Sequence, residues 1–222
     1  PFIAFADSNG VVTLRDYRSG SIVRQCFHPD FDQPVAEYPF AKSVVLRDQL
    51  MLSGYSDGTI TACGEDGKQL WTWRIDQHHP DLEAFGRIDM HPMENLLAIS
   101  WIENSSSTGM TSKVSILDID LMTEVTGWSY STQHWTMEFS QDGAWLASSA
   151  QDGSIRLWST QDPDPTLWTD NGVQYSHSNY TGVVTWHPEM RVLMSVGWDG
   201  QAIVWDADGA QQMLNFQFTG EG

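Results

Sequence analysis

Apolar and polar residues alternate in short runs along the whole chain, and clusters of Gly, Asp, Asn and Ser interrupt them roughly every eight to twelve positions, as in a series of short antiparallel strands. The run Leu146-Ala147-Ser148-Ser149-Ala150 stops at Gln151-Asp152-Gly153 and resumes as Ser154-Ile155-Arg156-Leu157-Trp158. No segment sustains the 3.6-residue apolar period of an amphipathic helix. The pattern predicts an all-β protein of strands joined by tight turns.

The pattern also repeats. Leu193–Asp206 aligns without a gap on the Leu146–Trp158 stretch, with Ser, Asp-Gly and Trp at matching positions. A third copy, Leu52–Cys63, has Cys63 where the others have Trp, and a fourth is Ala6–Asp16. A fifth begins at Leu96–Trp101 and resumes at Lys113–Asp118 after the polar insertion Glu103–Ser112, which reads as a mobile loop on the face that carries the other turns. The spacing is roughly 44 to 50 residues, the range of propeller blades. Each unit also has an earlier strand, such as Trp135–Phe139 or Val183–Trp186. One repeat is therefore a four-stranded meander that cannot bury both of its faces alone and must stack on neighbours.

Charge narrows the range of partners. The 222 residues hold 11 Lys plus Arg against 29 Asp plus Glu, a formal charge of −18. A nucleic-acid site needs clustered cations to neutralise phosphates, and an anionic membrane surface attracts the same, so neither is an expected partner. No apolar run is long enough to span a bilayer, so membrane insertion is not expected. The two cysteines, Cys26 and Cys63, do not amount to a disulfide framework, which favours a cytoplasmic location, while a removed signal or lipoprotein segment stays open because the sequence starts at Pro1 without Met.

The chain resembles the WD40-repeat family. The residues that carry the resemblance are Phe139-Ser140-Gln141-Asp142-Gly143 with Ser148, Asp152 and Trp158, then Trp205-Asp206 with Ser195 and Asp199, and His177 nine residues before Trp186. The second unit, with Ser53 and Asp57, matches fairly; the first and the interrupted third match weakly. The resemblance implies a WD40-type β-propeller with about five blades present: residues 1–40 (partial, lacking the innermost strand), 41–83, 84–133, 134–181 and 182–222. Because such propellers usually have seven blades, it also implies an excerpt of a larger one. It further implies that His177, Ser195, Asp199 and Trp205 form a buried structural hydrogen-bond network, with Ser148, Asp152, Trp158, Ser53 and Asp57 in the same roles elsewhere. The fourth blade has Tyr130 where the family has His. His177, Ser195 and Asp199 could be mistaken for a nucleophilic triad, but that requires an exposed nucleophile and an oxyanion hole.

Several features remain as candidate sites. The loop Asp76-Gln77-His78-His79-Pro80-Asp81-Leu82-Glu83 brings two imidazoles near carboxylates, a metal-type composition, although adjacent imidazoles in an extended loop tend to diverge. His28-Pro29-Asp30-Phe31-Asp32 with Glu37 is a similar acidic loop, and together they suggest a face that steers a basic partner. Tyr55, Trp101 and Trp198 lie in or beside turns, and Trp135 opens an innermost strand; aromatics of this kind dominate binding hot spots. Trp71, Trp73, Trp128, Trp145, Trp168 and Trp186 read as packing residues. Gly67-Lys68-Gln69-Leu70-Trp71 resembles a quinoprotein-propeller signature, but it occurs once rather than in most blades. The expectation is a non-catalytic scaffold without cofactor or resident metal. It would bind a protein or peptide, basic in character, through the loop face and channel mouth, using Tyr55, Trp101, Trp135 and Trp198. The alternative is a quinoprotein-like enzyme or a metal-binding propeller.

Overall fold

A computed structural model describes residues 2–7, 9–31, 39–107, 109–162, 164–209 and 211–218. Asp32, Glu37, Ser8, Thr108 and the stretch 219–222, each part of an expectation above, lie outside the described residues. Among those described, the fold is all strand apart from two single 3-10 turns at Ile75–Gln77 and Pro165–Leu167.

Five antiparallel sheets follow one another along the chain. The first has three strands: β1 (Phe2–Ala6), β2 (Val11–Asp16) and β3 (Ile22–Phe27). The second is β4 (Ala41–Arg47), β5 (Leu50–Tyr55), β6 (Thr59–Cys63) and β7 (Gln69–Arg74). The third is β8 (Leu82–Met90), β9 (Leu96–Ser105), β10 (Gly109–Asp118) and β11 (Thr123–Tyr130). The fourth comprises β12 (His134–Phe139), β13 (Trp145–Ala150), β14 (Ser154–Ser159) and β15 (Thr169–Ser176). The fifth comprises β16 (Thr181–Trp186), β17 (Val192–Gly197), β18 (Gln201–Asp206) and β19 (Gln211–Gln217). Within each sheet the strands lie side by side in chain order, as in a propeller blade.

The chain divides into two compact units, residues 1–88 with 101–110, and residues 89–100 with 111–222. In the first, Val12, Leu14 and Cys26 of the first sheet pack against Met51 and Cys63 of the second. In the second, Ala147, Ile155, Leu157 and Tyr175 of the fourth sheet meet Val184, Trp186, Leu193, Ile203 and Trp205 of the fifth. The faces that cannot be buried within one meander are thus covered by the next sheet.

Two expectations need correction. The insertion Glu103–Ser112 is not an irregular loop: β9 and β10 each run ten residues, and only Ser106 and Ser107 among its described residues lie in the turn. Its small polar residues conceal strand alternation, which leaves Ser112 buried while Met110 is exposed. The cysteines are also paired. Cys26 on β3 and Cys63 on β6 form a disulfide, with Cα atoms 6.0 Å apart and both side chains buried. A count of two cysteines says nothing about proximity, and the packing of the two sheets supplies it.

Candidate functional site

The turn after the second strand repeats one polar device among the full sheets. In three sheets that turn is an Asp-Gly pair whose carboxylate accepts the backbone N–H two residues on: Asp57 from Thr59 at 3.0 Å, Asp152 from Ser154 at 2.9 Å and Asp199 from Gln201 at 3.1 Å.

Around the last of these turns a polar chain runs through the interior. Asp199 meets Nδ1 of His177 at 2.9 Å, His177 Nε2 lies 2.7 Å from the Ser195 hydroxyl, and the Trp205 indole N–H donates to that hydroxyl at 2.8 Å. Burial alone would push the Asp199 carboxyl up, but the hydrogen bonds from His177 and from the N–H groups of Ser178 and Gln201 hold it below the usual range. Ser195 is fully buried and the imidazole side chain has no exposed surface. A nucleophile there could not be reached, so the constellation is structural chemistry and not a triad.

The fourth sheet solves the same problem with other residues. The Trp158 indole donates to Tyr130 at 3.2 Å rather than to Ser148, and the Tyr130 hydroxyl donates to Asp170 at 2.6 Å. Arg156 pairs with Asp170 at 3.2 Å and lies 4.5 Å from the centre of the Tyr130 ring. Ser148 is instead 2.7 Å from Nδ1 of His134, and Asp152 serves its turn, accepting also the Ser154 hydroxyl. In the second sheet His28 lies 3.2 Å from Asp57, in the place His177 holds beside Asp199, while Cys63 is in the disulfide and Ser53 is buried.

β12, β16 and the turns after β13 and β17 form an open pocket of about 340 Å³ lined by Trp135, Gln151, Tyr180, Gly182 and Trp198. Its walls follow from strand register. His134 pairs with Ala150 and Thr136 with Ser149, so Trp135 is the extra residue of a β-bulge, a device that re-aims a side chain. Thr181 pairs with Gly197 and Val183 with Val196, which puts Gly182 at the equivalent bulge. The Trp198 N–H donates to the Tyr180 carbonyl at 2.8 Å, tying the turn to the residue before β16, and the two rings lie 5.8 Å apart at 56°. Trp198 is 74% exposed, Trp135 41% and Tyr180 40%, so three large aromatic rings face outward around one hollow.

The WD40 family profile, described as WD domain, G-beta repeat, matches residues 125–159 and 170–206. These two stretches are WD40 repeats. The matched stretches contain the fourth and fifth sheets' Ser, Asp and Trp positions, and the rest of the chain continues the same blade topology. No curated protein matches the sequence significantly. A crystal structure of the computationally designed Ika8 protein is similar in fold, with a TM-score of 0.67 at 14% identity over 97% of this chain. The chain spans 58% of that protein's length.

Within the WD40 frame, the four aromatics expected at a binding surface separate. Trp135 and Trp198 line the pocket. Tyr55 and Trp101 do not reach the surface, being 0% and 1% exposed. Tyr55 is the last residue of β5, opposite Ala41, so its side chain turns inward against the edge of the His28 ring; Trp198 comes one residue later in its own repeat, and a single step along a strand changes the face. Trp101 sits inside the long β9 strand, with its indole N–H on Glu103 and its ring against His79. The pocket residues that the repeat pattern missed are Gln151, Tyr180 and Gly182. Tyr180 is one residue before its innermost strand, where the second sheet has Phe40, and that alignment was the available signal.

The two acidic loops are also more structural than they read. His78 stacks on Trp73, with ring centres 4.9 Å apart, while His79 pairs with Glu103 at 3.0 Å, so the neighbouring imidazoles have separate partners. Among the described residues no group of three or more His, Cys, Asp and Glu is placed to hold a metal. Asp30 pairs with Arg74 at 2.6 Å, and His28, read as part of an acidic loop, is buried. Lys68 of the quinoprotein-like signature is an exposed partner of Asp66.

Proposed function

We propose that these WD40 repeats form a non-catalytic platform that binds another protein or a peptide through the surface carrying Trp135, Tyr180 and Trp198. The observation that carries the reading is the concentration of three outward-facing aromatic rings around one open pocket. Aromatics offer large rigid contact area with a polar edge, and they are costly to leave in water unless something covers them. The His, Ser and Asp that could suggest catalysis are consumed in buried structural bonds. WD40 repeats serve as interaction scaffolds in general, which agrees with this assignment.

The test is a crosslinking capture comparing the native protein with the Trp135→Ala/Trp198→Ala double variant. Loss of specific partners, with an unchanged melting temperature, is expected; a double variant that keeps every partner overturns the reading. The Cys26–Cys63 disulfide supports an oxidising compartment in place of the cytoplasmic location expected from the cysteine count. Trapping of free thiols in freshly lysed cells checks this: two labelled cysteines in the bulk of the protein would contradict it.

A further inference from the structure

The pocket's strand register has a counterpart in the second sheet, where the bulge carries a cation. There Ala41 pairs with Tyr55 and Ser43 with Gly54, so Lys42 occupies the bulge position that Gly182 holds in the fifth sheet. Phe40 takes the place of Tyr180: its carbonyl accepts the Ser56 N–H at 2.9 Å, just as the Tyr180 carbonyl accepts that of Trp198. The Lys42 ammonium donates to the Phe85 carbonyl at 2.8 Å and also lies 5.9 Å from the centre of the Phe40 ring. The second sheet thus sets a cation from its own bulge over its own aromatic. In the fifth sheet the aromatic is kept, two tryptophans join it, and the bulge residue is Gly182, with no side chain to supply the cation.

No cation from elsewhere replaces it. The unit formed by residues 89–100 and 111–222 contains three Lys plus Arg against sixteen Asp plus Glu. Lys113 donates to Ser129, Arg156 pairs with Asp170, and Arg191 pairs with Asp142 and Asp208. None of the three lines the pocket. The exposed carboxylate of Asp152 follows Gln151 directly. A positive group entering this hollow meets the negative faces of aromatic rings within an acidic surface, whereas an acidic segment would be repelled.

We infer that the pocket of Trp135, Tyr180 and Trp198 receives a lysine or arginine side chain from a basic segment of the partner, a cation beside an aromatic ring as Lys42 is beside Phe40 in the second sheet. This inference rests on the interaction reading above and gives its partner a chemistry. Gly182 keeps the space beside Trp198 open: a Cβ placed there would already be in contact with the indole, 3.6 Å from its nitrogen and 3.8 Å from Cδ1, and 3.7 Å from the Val196 carbonyl, so a larger side chain would crowd that ring.

The experiment uses an array of short peptides with lysine or arginine at the central position, each paired with the same peptide carrying acetyl-lysine or citrulline there. The cationic member of a bound pair is expected to bind on the order of tenfold more tightly than its neutral isostere. Trp198→Ala and Gly182→Val should each abolish that preference, the first by removing a ring and the second by filling the space, while Trp198→Phe keeps most of it. Both positions are at the surface, and melting curves establish that the variants fold. Equal binding of charged and neutral peptides, or a preference that survives both Trp198→Ala and Gly182→Val, overturns the inference. If peptides still bind at this pocket regardless of charge, the interaction reading stands without it; if no peptide of any composition binds, both fall.

Discussion

The Ser195 hydroxyl accepts the indole N–H of Trp205 at 2.8 Å while it also contacts Nε2 of His177 at 2.7 Å, which makes one buried oxygen the junction of the fifth sheet. The equivalent Ser148 has a single contact of this kind, to a different residue, His134 of β12, because the Trp158 indole has gone to Tyr130. Replacing a junction strands every group attached to it, at about 1–3 kcal/mol for each buried polar group left unsatisfied. Ser195→Ala should therefore destabilise by about 2–4 kcal/mol and Ser148→Ala by about 1–2 kcal/mol. Urea unfolding measures both, and the reverse order would contradict the two networks described.

Two buried titratable groups should give the protein opposing responses to pH. Burial pushes the Asp89 carboxyl up to about 7, the nearby Glu138 charge adds to this, and the Phe139 N–H at 2.7 Å works against it. Burial also raises the Glu138 carboxyl. Asp89 therefore holds a proton in the fold that the unfolded chain has released above pH ~4, so its contribution to stability is present at low pH and fades as pH rises toward 7. His134 has the opposite sense. Burial, helped by the Arg156 charge, pushes its imidazole down to about 4, so stability is lost as pH falls from ~6.5 toward 4 and the unfolded imidazole takes up its proton. In the native protein the two slopes offset each other. Asp89→Asn keeps an acceptor for the Phe139 N–H and should raise stability at pH 8 by roughly 2–4 kcal/mol, leaving a melting temperature that falls on acidification from 7 to 4. His134→Gln should leave the opposite slope. Identical pH profiles for the two variants would contradict both assignments.

These contrasts show where a sequence is informative and where it stops. The blade pattern was readable because alternation and Asp-Gly turns are local, and His177 was readable because its family spacing to Trp186 is intact. His28 holds the matching place in the second sheet, but it precedes its innermost strand by thirteen residues where His177 precedes its own by four, so the longer spacing in the sequence hid it. Trp158 and Trp205 read alike in sequence, yet their indoles have different partners, because Tyr130 and Asp170 come from flanking strands that carry no motif. The bulges at Trp135 and Gly182, which create the pocket, are one-residue register shifts that alternation alone does not mark.

The disulfide should matter more for stability than two cysteines in a chain of this length suggest. Cys26 and Cys63 are 37 residues apart and join two packed sheets. By the chain-entropy estimate a loop of that size constrains the unfolded state by ~4 kcal/mol. The Cys26→Ala/Cys63→Ala variant is expected to lose about 2–4 kcal/mol, most of it in the unit holding residues 1–88. Because both sulfur atoms are buried, a reductant alone should act slowly in water and quickly once denaturant is added. Equal stability of the native and variant proteins under oxidising conditions would show that the bond contributes nothing.

Gly153 and Gly172 offer a paired test of how the Asp-Gly turn supports the aromatic pocket. Both adopt left-handed backbone, at φ +87° and +77°, so an alanine at either position costs about 1 kcal/mol from conformation alone. Beyond that they differ. Nothing lies within 4 Å of a Cβ built on Gly172, whereas one on Gly153 would stand 2.5 Å from the His177 carbonyl and 2.7 Å from that of Asn179. The Gly153 carbonyl also accepts the His177 N–H at 3.0 Å and the Thr181 hydroxyl at 2.6 Å, so the turn clamps the segment that presents Tyr180. Gly172→Ala should cost about 1 kcal/mol and leave peptide capture unchanged. Gly153→Ala should cost several-fold more, ~3 kcal/mol or above, because the obstruction is backbone rather than the tip of a flexible side chain. Where the Gly153→Ala protein still folds, its peptide affinity should fall with Tyr180 displaced, a loss that Gly172→Ala does not share. Equal stability and equal binding of the two variants would mean that this close approach plays no part in holding the pocket.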